Sequence, residues 1–257
     1  MDAPSATRFS AALTGLACCL GAVDSSSYLK SRKQLKFMGK QDQLAVVAAS
    51  QAAARAGLTP QQLASAGLYL VVGHIPFEEE DMLPLAREST EDGLFSMERF
   101  SSNGLDQVNP LLTFRCLPNM PAFHVSLNLG IQGPSFTTYP GLGQFYQALE
   151  QALWALHEGQ IDVALVGAVA DQNNFLVDYH WGRHGILSER HDVAGFLCLQ
   201  RHGSTRLVDF SLAYTGQRGE ATAYGPADLI WQLGQGNLIH RAHTLDGLLC
   251  NSRWLPS

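Results

Sequence analysis

The sequence has little charge, few cysteines and no long apolar run. Only 16% of its 257 residues are Asp, Glu, Lys or Arg, and the acidic ones are in excess, giving a net charge of −6 and a pI near 5.8. That balance argues against general nucleic-acid binding, which needs a basic surface. The apolar runs fall far short of the roughly 20 residues of a membrane span, and Met1 to Arg8 lacks a charged segment followed by a long apolar one. Neither export nor insertion is signalled, so the expected compartment is the cytoplasm. The five cysteines, Cys18, Cys19, Cys116, Cys198 and Cys250, form no metal-ligand spacing and no even framework, and they read as reduced, mostly buried thiols. No cysteine lies between Cys116 and Cys198, and the chain has no Gly-x-Ser-x-Gly elbow. What is present is 46% hydrophobic residues, enough for one large core.

The most informative stretch runs from Gly130 to Asp171. Phe136, Thr137, Thr138 and Tyr139 are aromatic or β-branched, follow a Gly-Pro pair and precede Pro140-Gly141, which predicts a short strand. From Gln144 to His157 the residues Phe145, Ala148, Leu149, Ala152, Leu153 and Leu156 recur at three- and four-residue steps, the pattern of one buried helical face, with Gly159 just past the end. Ile161 to Val169 is mostly apolar, as in a strand covered on both faces. A strand, a small-residue turn, a helix and a second strand make a frame in which many α/β enzymes hold a nucleophile.

This stretch resembles the nucleophile region of the β-ketoacyl synthases, the condensing enzymes of fatty acid and polyketide synthesis. Gly133, Pro134 and Ser135 match that family's Gly-Pro-Ser strand, and Gly159, Asp162, Ala164, Leu165, Val166 and Gly167 match its Gly-x-x-Asp turn and Ala-Leu-Val-Gly strand. The family's cysteine stands nine residues after the first glycine and seventeen before the second, and both counts reach Leu142. The resemblance therefore implies a chain without the acyl-accepting thiolate, because a leucine side chain cannot attack a thioester.

Flanking segments extend the likeness. Phe9 to Gly21 resembles the first strand and glycine turn of the synthases, and Gln43 to Gly57 carries the small apolar residues of a tightly packed helix. Lys30, Arg32, Lys33, Lys36 and Lys40 form a basic run in an acidic chain. The part from Ser31 to Met38 is similar to a family segment that contacts the acidic acyl carrier protein, implying docking through Arg32, Lys33 and Lys36; the alternative is a solvated helix face. Leu68 to Val72 is a short buried strand, and Ser89 to Asn109 is polar enough to be an irregular excursion. Leu117 to Gly130 resembles the synthase helix that lines the acyl tunnel at the dimer interface, which makes Met120 and Phe123, with Leu142, the expected chain-length residues. The alternative for Met120 and Phe123 is that both are plain core residues. His180 and His184 have the spacing of a helical zinc pair, but Gly182 weakens a helix there and no His-Glu-x-x-His glutamate is present, so no metal is expected. No cofactor is implied.

After Gly216 only about forty residues remain, without the family's His-Gly-Thr or Gly-His-x-x-Gly segments. The expectation is a thiolase-like α/β fold, the N-terminal half of a ketosynthase with a mixed sheet covered by helices, over residues 1–216. A short helical extension over 217–257 would carry His240 and His243 on its surface. The function implied is that of a non-catalytic chain-length-factor subunit. It would pair with a full-length β-ketoacyl synthase through Phe136, Thr137, Thr138 and Tyr139, joined antiparallel across a two-fold axis, in a type II polyketide pathway (such as aryl polyene synthesis) or a fatty-acid-like one. The alternatives are a decarboxylase or hydrolase using His124 or the Tyr179 to His191 cluster, and a scaffolding protein that kept the fold.

Overall fold

The computed structural model describes residues 9, 11–75, 78–186, 189–203 and 205–256. The leader reading of Met1 to Arg8 lies outside them. In chain order the elements are β1 (Ala11–Leu20), a 3-10 turn (Arg32–Lys36), α1 (Lys40–Arg55), α2 (Pro60–Ser65), β2 (Gly67–Val72) and α3 (Glu79–Glu88). The polar excursion holds a two-residue hairpin, β3 (Thr90–Glu91) and β4 (Leu94–Phe95), then α4 (Met97–Arg99) and α5 (Leu112–Cys116). The chain continues through α6 (Met120–Leu129), β5 (Ser135–Thr138), α7 (Leu142–His157), β6 (Val163–Ala170) and α8 (Phe175–Arg183). It ends with β7 (Val193–Gln200), β8 (Thr205–Tyr214), α9 (Asp228–Gly234), β9 (Ile239–His243) and β10 (Leu248–Pro256).

Eight strands form one mixed sheet in the order β5-β2-β6-β7-β1-β8-β10-β9. β2 runs parallel to both β5 and β6, while β6, β7, β1, β8, β10 and β9 join antiparallel. Helices cover both faces. On one, α1 lays Leu44, Ala45, Ala48, Ala49 and Ala52 against Leu68, Leu70, Leu165 and Phe196. On the other, Phe145, Tyr146, Leu149, Leu153 and Leu156 of α7, with Leu229 and Ile230 of α9, pack on Val71, Val166, Leu197, Phe210 and Trp254. β2 and β6 are buried along their whole length, which is why β6 reads as an unbroken apolar run. Gly167 sits where any side chain would collide: a Cβ there would lie 2.4 Å from the Phe196 ring.

Three expectations need correction. The pairing strand is Ser135–Thr138, so Tyr139 lies just beyond it. The helix α8 runs through Gly182 and stops at Arg183, leaving His184 as its C-cap. The C-terminal segment is helical only over the 3-10 turn Gly225–Ala227 and the α-helix Asp228–Gly234. Past Gly236, whose φ of +87° stops the helix, it folds as β9 and β10 on the sheet's far edge. The reason is legible in β10, where Cys250, Ser252 and Trp254 are buried while Arg253 and Leu255 are exposed, a two-residue period that fits a strand and not a helix. That register covers β8, which would otherwise be a ten-residue open edge.

Candidate functional site

A cavity of about 390 Å³ opens where the C-terminal ends of β2 and β6 meet the start of α7. Leu142 is the first residue of that helix, it is buried, and it lines the cavity together with Pro140, Gly141 and Gly143. The turn into α7 is made by Gly141, whose N–H donates to the Gln144 side chain at 3.2 Å. Ala170, Val177, Trp181 and Leu245 add apolar wall. The volume and the apolar lining suit a small ligand.

Polar groups cluster on one side. The His74 and His180 rings lie 4.9 Å apart, and His180 lies 5.0 Å from His184. Burial, and then His180, lowers the His74 pKa; burial, His184 and Arg183 lower that of His180. Both shifts favour the neutral imidazole. Among the described residues no three His, Cys, Asp or Glu side chains are placed to hold a metal ion.

An ion cluster that sequence reading missed reaches the cavity wall through Asp171. Lys40 Nζ lies 3.2 Å from Asp171 Oδ1 and 2.9 Å from Asp192 Oδ2. Burial pushes the Asp171 carboxyl up against the pull of Lys40. Asp192 is held down by Lys40 although burial acts the other way. Lys40 thus turns its half-exposed side chain to these carboxylates, while Lys30, Arg32, Lys33 and Lys36 of the basic run are exposed.

The five cysteines are placed elsewhere, on β1, β7, β10 and α5, and none lines this cavity. Burial pushes every one of these thiols up, Cys18, Cys198 and Cys250 to about 12 and Cys19 and Cys116 to about 11. At neutral pH none supplies a thiolate.

Met120 is buried on α6 and Phe123 is half exposed there; neither touches the cavity that holds Leu142. His124 is buried on the same helix with neither ring nitrogen hydrogen-bonded and its pKa lowered by burial, and it too lies outside the cavity wall. Of the other alternative, His180 and His184 reach the cavity, Tyr179 is exposed, and His191 stacks on Tyr224.

The C-terminal histidines differ most from expectation. His240 is buried on β9, with Nε2 2.9 Å from Asp228 Oδ2 and Nδ1 2.8 Å from the Tyr146 hydroxyl, which is itself 3.0 Å from Ser252 Oγ. With Nε2 donating to the carboxylate, Nδ1 accepts from Tyr146. His243 lines the cavity. Sequence spacing carried no sign of this chain of bonds, because its members lie on four different elements.

No helix among the described residues is long and apolar enough to cross a membrane. Among curated proteins none matches this sequence. Solved structures do match in fold. A chain of "AntDE:AntF (apo): type II PKS acyl-carrier protein in complex with its ketosynthase bound to the hexaketide" superposes with a TM-score of 0.74 at 12% identity, covering 97% of this chain and 100% of that one. "The ishigamide ketosynthase/chain length factor" gives 0.60 at 17% identity over 84% of this chain and 66% of that one. A β-ketoacyl synthase from Burkholderia phymatum STM815 gives 0.57 at 14% identity over 82% and 66%. At such identities the likeness is one of fold. The sequence model "Beta-ketoacyl synthase, N-terminal domain" matches residues 5–194. Matching most of the chain, and agreeing with the layered mixed sheet, it shows that this protein belongs to the β-ketoacyl synthase family through that N-terminal domain.

Proposed function

We propose that this chain is a non-catalytic, chain-length-factor-type subunit that pairs with a full-length β-ketoacyl synthase in a type II polyketide or fatty-acid-like pathway. The observation that carries the proposal is Leu142 at the first position of α7, in the cavity wall, at the position that the motif spacing equates with the family's cysteine. An unreactive side chain stands where the nucleophile is needed, and no activated thiol replaces it. The alternative of a changed chemistry needs a nucleophile with a base in reach. His124 is outside the cavity, and Asp228, His240, Tyr146 and Ser252 form a closed internal chain.

The surface favours a partner. β5 is an edge strand, paired on one side only among the described residues, and such edges are normally covered. Leu94, Phe95 and Met97 in the excursion are each more than 60% exposed, and Phe123 is 50% exposed. Leu94, Phe95 and Met97 fall within four residues of sequence, and exposed apolar side chains grouped in this way favour an interaction site. Phe123 and Met120 on α6 would then contribute to a tunnel completed by the partner. A solved assembly named for a ketosynthase and its acyl carrier protein contains a chain that this one covers end to end, which supports a partner of that kind.

Purification through a tag on this chain from the native host should bring down a full-length ketosynthase; recovery of a stable lone monomer contradicts the proposal. Carrier docking is assigned to Arg32, Lys33 and Lys36, exposed on and beside the 3-10 turn. Reversing Lys33 and Lys36 to Glu should weaken carrier binding to the complex about tenfold at low salt, with the difference fading as salt screens both forms. Unchanged carrier binding would reduce the run to a solvated face.

A further inference from the structure

The basic turn is tied to α6 by one uncharged side chain. Asn128 stands in the last turn of that helix, just before the left-handed Gly130 that ends it. Its Oδ1 accepts from Lys30 N at 2.8 Å and from Gln34 Nε2 at 3.2 Å, and its Nδ2 donates to Gln34 Oε1 at 2.9 Å and to His124 O at 2.8 Å. Both lone pairs and both N–H groups of the carboxamide are thereby used. Asn128 and Gln34 form a closed two-bond amide pair across 94 residues of sequence. The turn itself is a 3-10 helix, in which residues three apart share a side. Gln34 and the C-cap Phe37 make one such side, and both are anchored: Gln34 on Asn128, Phe37 edge to face on the Phe114 ring of α5 at 5.8 Å. Lys33 and Lys36 make another side, and both are exposed.

We propose that Asn128 is a positioning residue for carrier docking: through Gln34 and the Lys30 N–H it fixes the turn on α6 so that Lys33 and Lys36 are presented together to an acidic carrier protein. The proposal rests on the reading of Arg32, Lys33 and Lys36 as the docking cations, and it adds a residue that carries no charge of its own. A 3-10 helix as short as Arg32–Lys36 takes its orientation from what it is tied to. Freed of the amide pair, the turn gains conformations, and the lost order must be restored when the carrier binds. The cations stay in place, so their attraction to the carrier is screened by salt as before. The loss therefore falls on affinity at every ionic strength.

The host's acyl carrier protein, purified, is titrated onto the assembly as it co-purifies, or onto this chain where no synthase comes with it. Asn128→Ala should weaken binding about fivefold, the cost of ordering one loosened turn, and its ratio to wild type should hold from low to high salt. Gln34→Ala breaks the same amide pair without touching the Asn128 to His124 bond inside α6, so it should give a similar loss with the helix intact. The double variant should lose no more than Asn128→Ala alone, because both changes break one pair. Hydrogen exchange at the Lys30 amide, whose acceptor is Asn128 Oδ1, should quicken in Asn128→Ala. Reversal of Lys33 and Lys36 to Glu is the control that separates the outcomes. If that reversal leaves carrier binding unchanged, the docking reading fails and this proposal with it. If the reversal weakens binding while Asn128→Ala and Gln34→Ala bind as wild type, the positioning role alone is overturned. Losses that multiply in the double variant, or that fade with salt as those of the reversal do, overturn it as well.

Discussion

Thr137→Pro should leave this chain folded and separate it from its partner. Leu68 N donates to Pro134 O at 2.9 Å, and β5 pairs with β2 in parallel register, Leu68 opposite Ser135 and Leu70 opposite Thr137. In a parallel ladder the donors alternate sides, so Phe136 and Thr138 point their N–H groups at β2 and Thr137 points its own outward. Proline there removes a donor from the free edge without touching the internal ladder, the one sheet setting that tolerates it. A lost pairing bond worth on the order of 2–3 kcal/mol would weaken association about a hundredfold. Phe136→Asp is a poorer probe, because the Phe136 ring packs against the chain's own core beneath α7 and a charge there would destabilise the subunit itself. Co-purification of Thr137→Pro at the wild-type level, with the melting temperature also unchanged, would remove β5 from the interface.

Leu142→Cys should not restore condensation. The substituted side chain would sit at the first position of a sixteen-residue helix, where the helix dipole lowers a thiol pKa, and acylation from a thioester becomes chemically open. Condensation further requires decarboxylation of an extender unit. The imidazoles that line the cavity, His74, His180, His184 and His243, do not stand in the family's motifs. The expected outcome is an acyl adduct with no elongated product. Turnover by the variant in the absence of any partner would show that one of those imidazoles performs the decarboxylation.

The central part of the fold was legible because its patterns are local. β5, α7 and β6 carry Gly-Pro punctuation, a helical apolar period and an apolar run, and each stands within two residues of its expected bounds. The C-terminal segment was misread because its evidence is two residues apart in β10 and long-range in its partner. Cys250, Ser252 and Trp254 are a strand face only once β8 needs covering. The same holds for Lys40, which sequence grouped with its basic neighbours; its partners Asp171 and Asp192 lie more than a hundred residues away. His240 looked like a surface residue for that reason too. Its ring is fixed by Asp228 and Tyr146, on two different helices.

The most direct measurement is the intact mass of each subunit after the native assembly is incubated with an acyl thioester. With Leu142 at the start of α7 and every thiol of this chain pushed far above neutral pH by burial, the acyl increment should appear on the partner alone and this chain should keep its unmodified mass. A stable acyl increment on this chain would contradict the account.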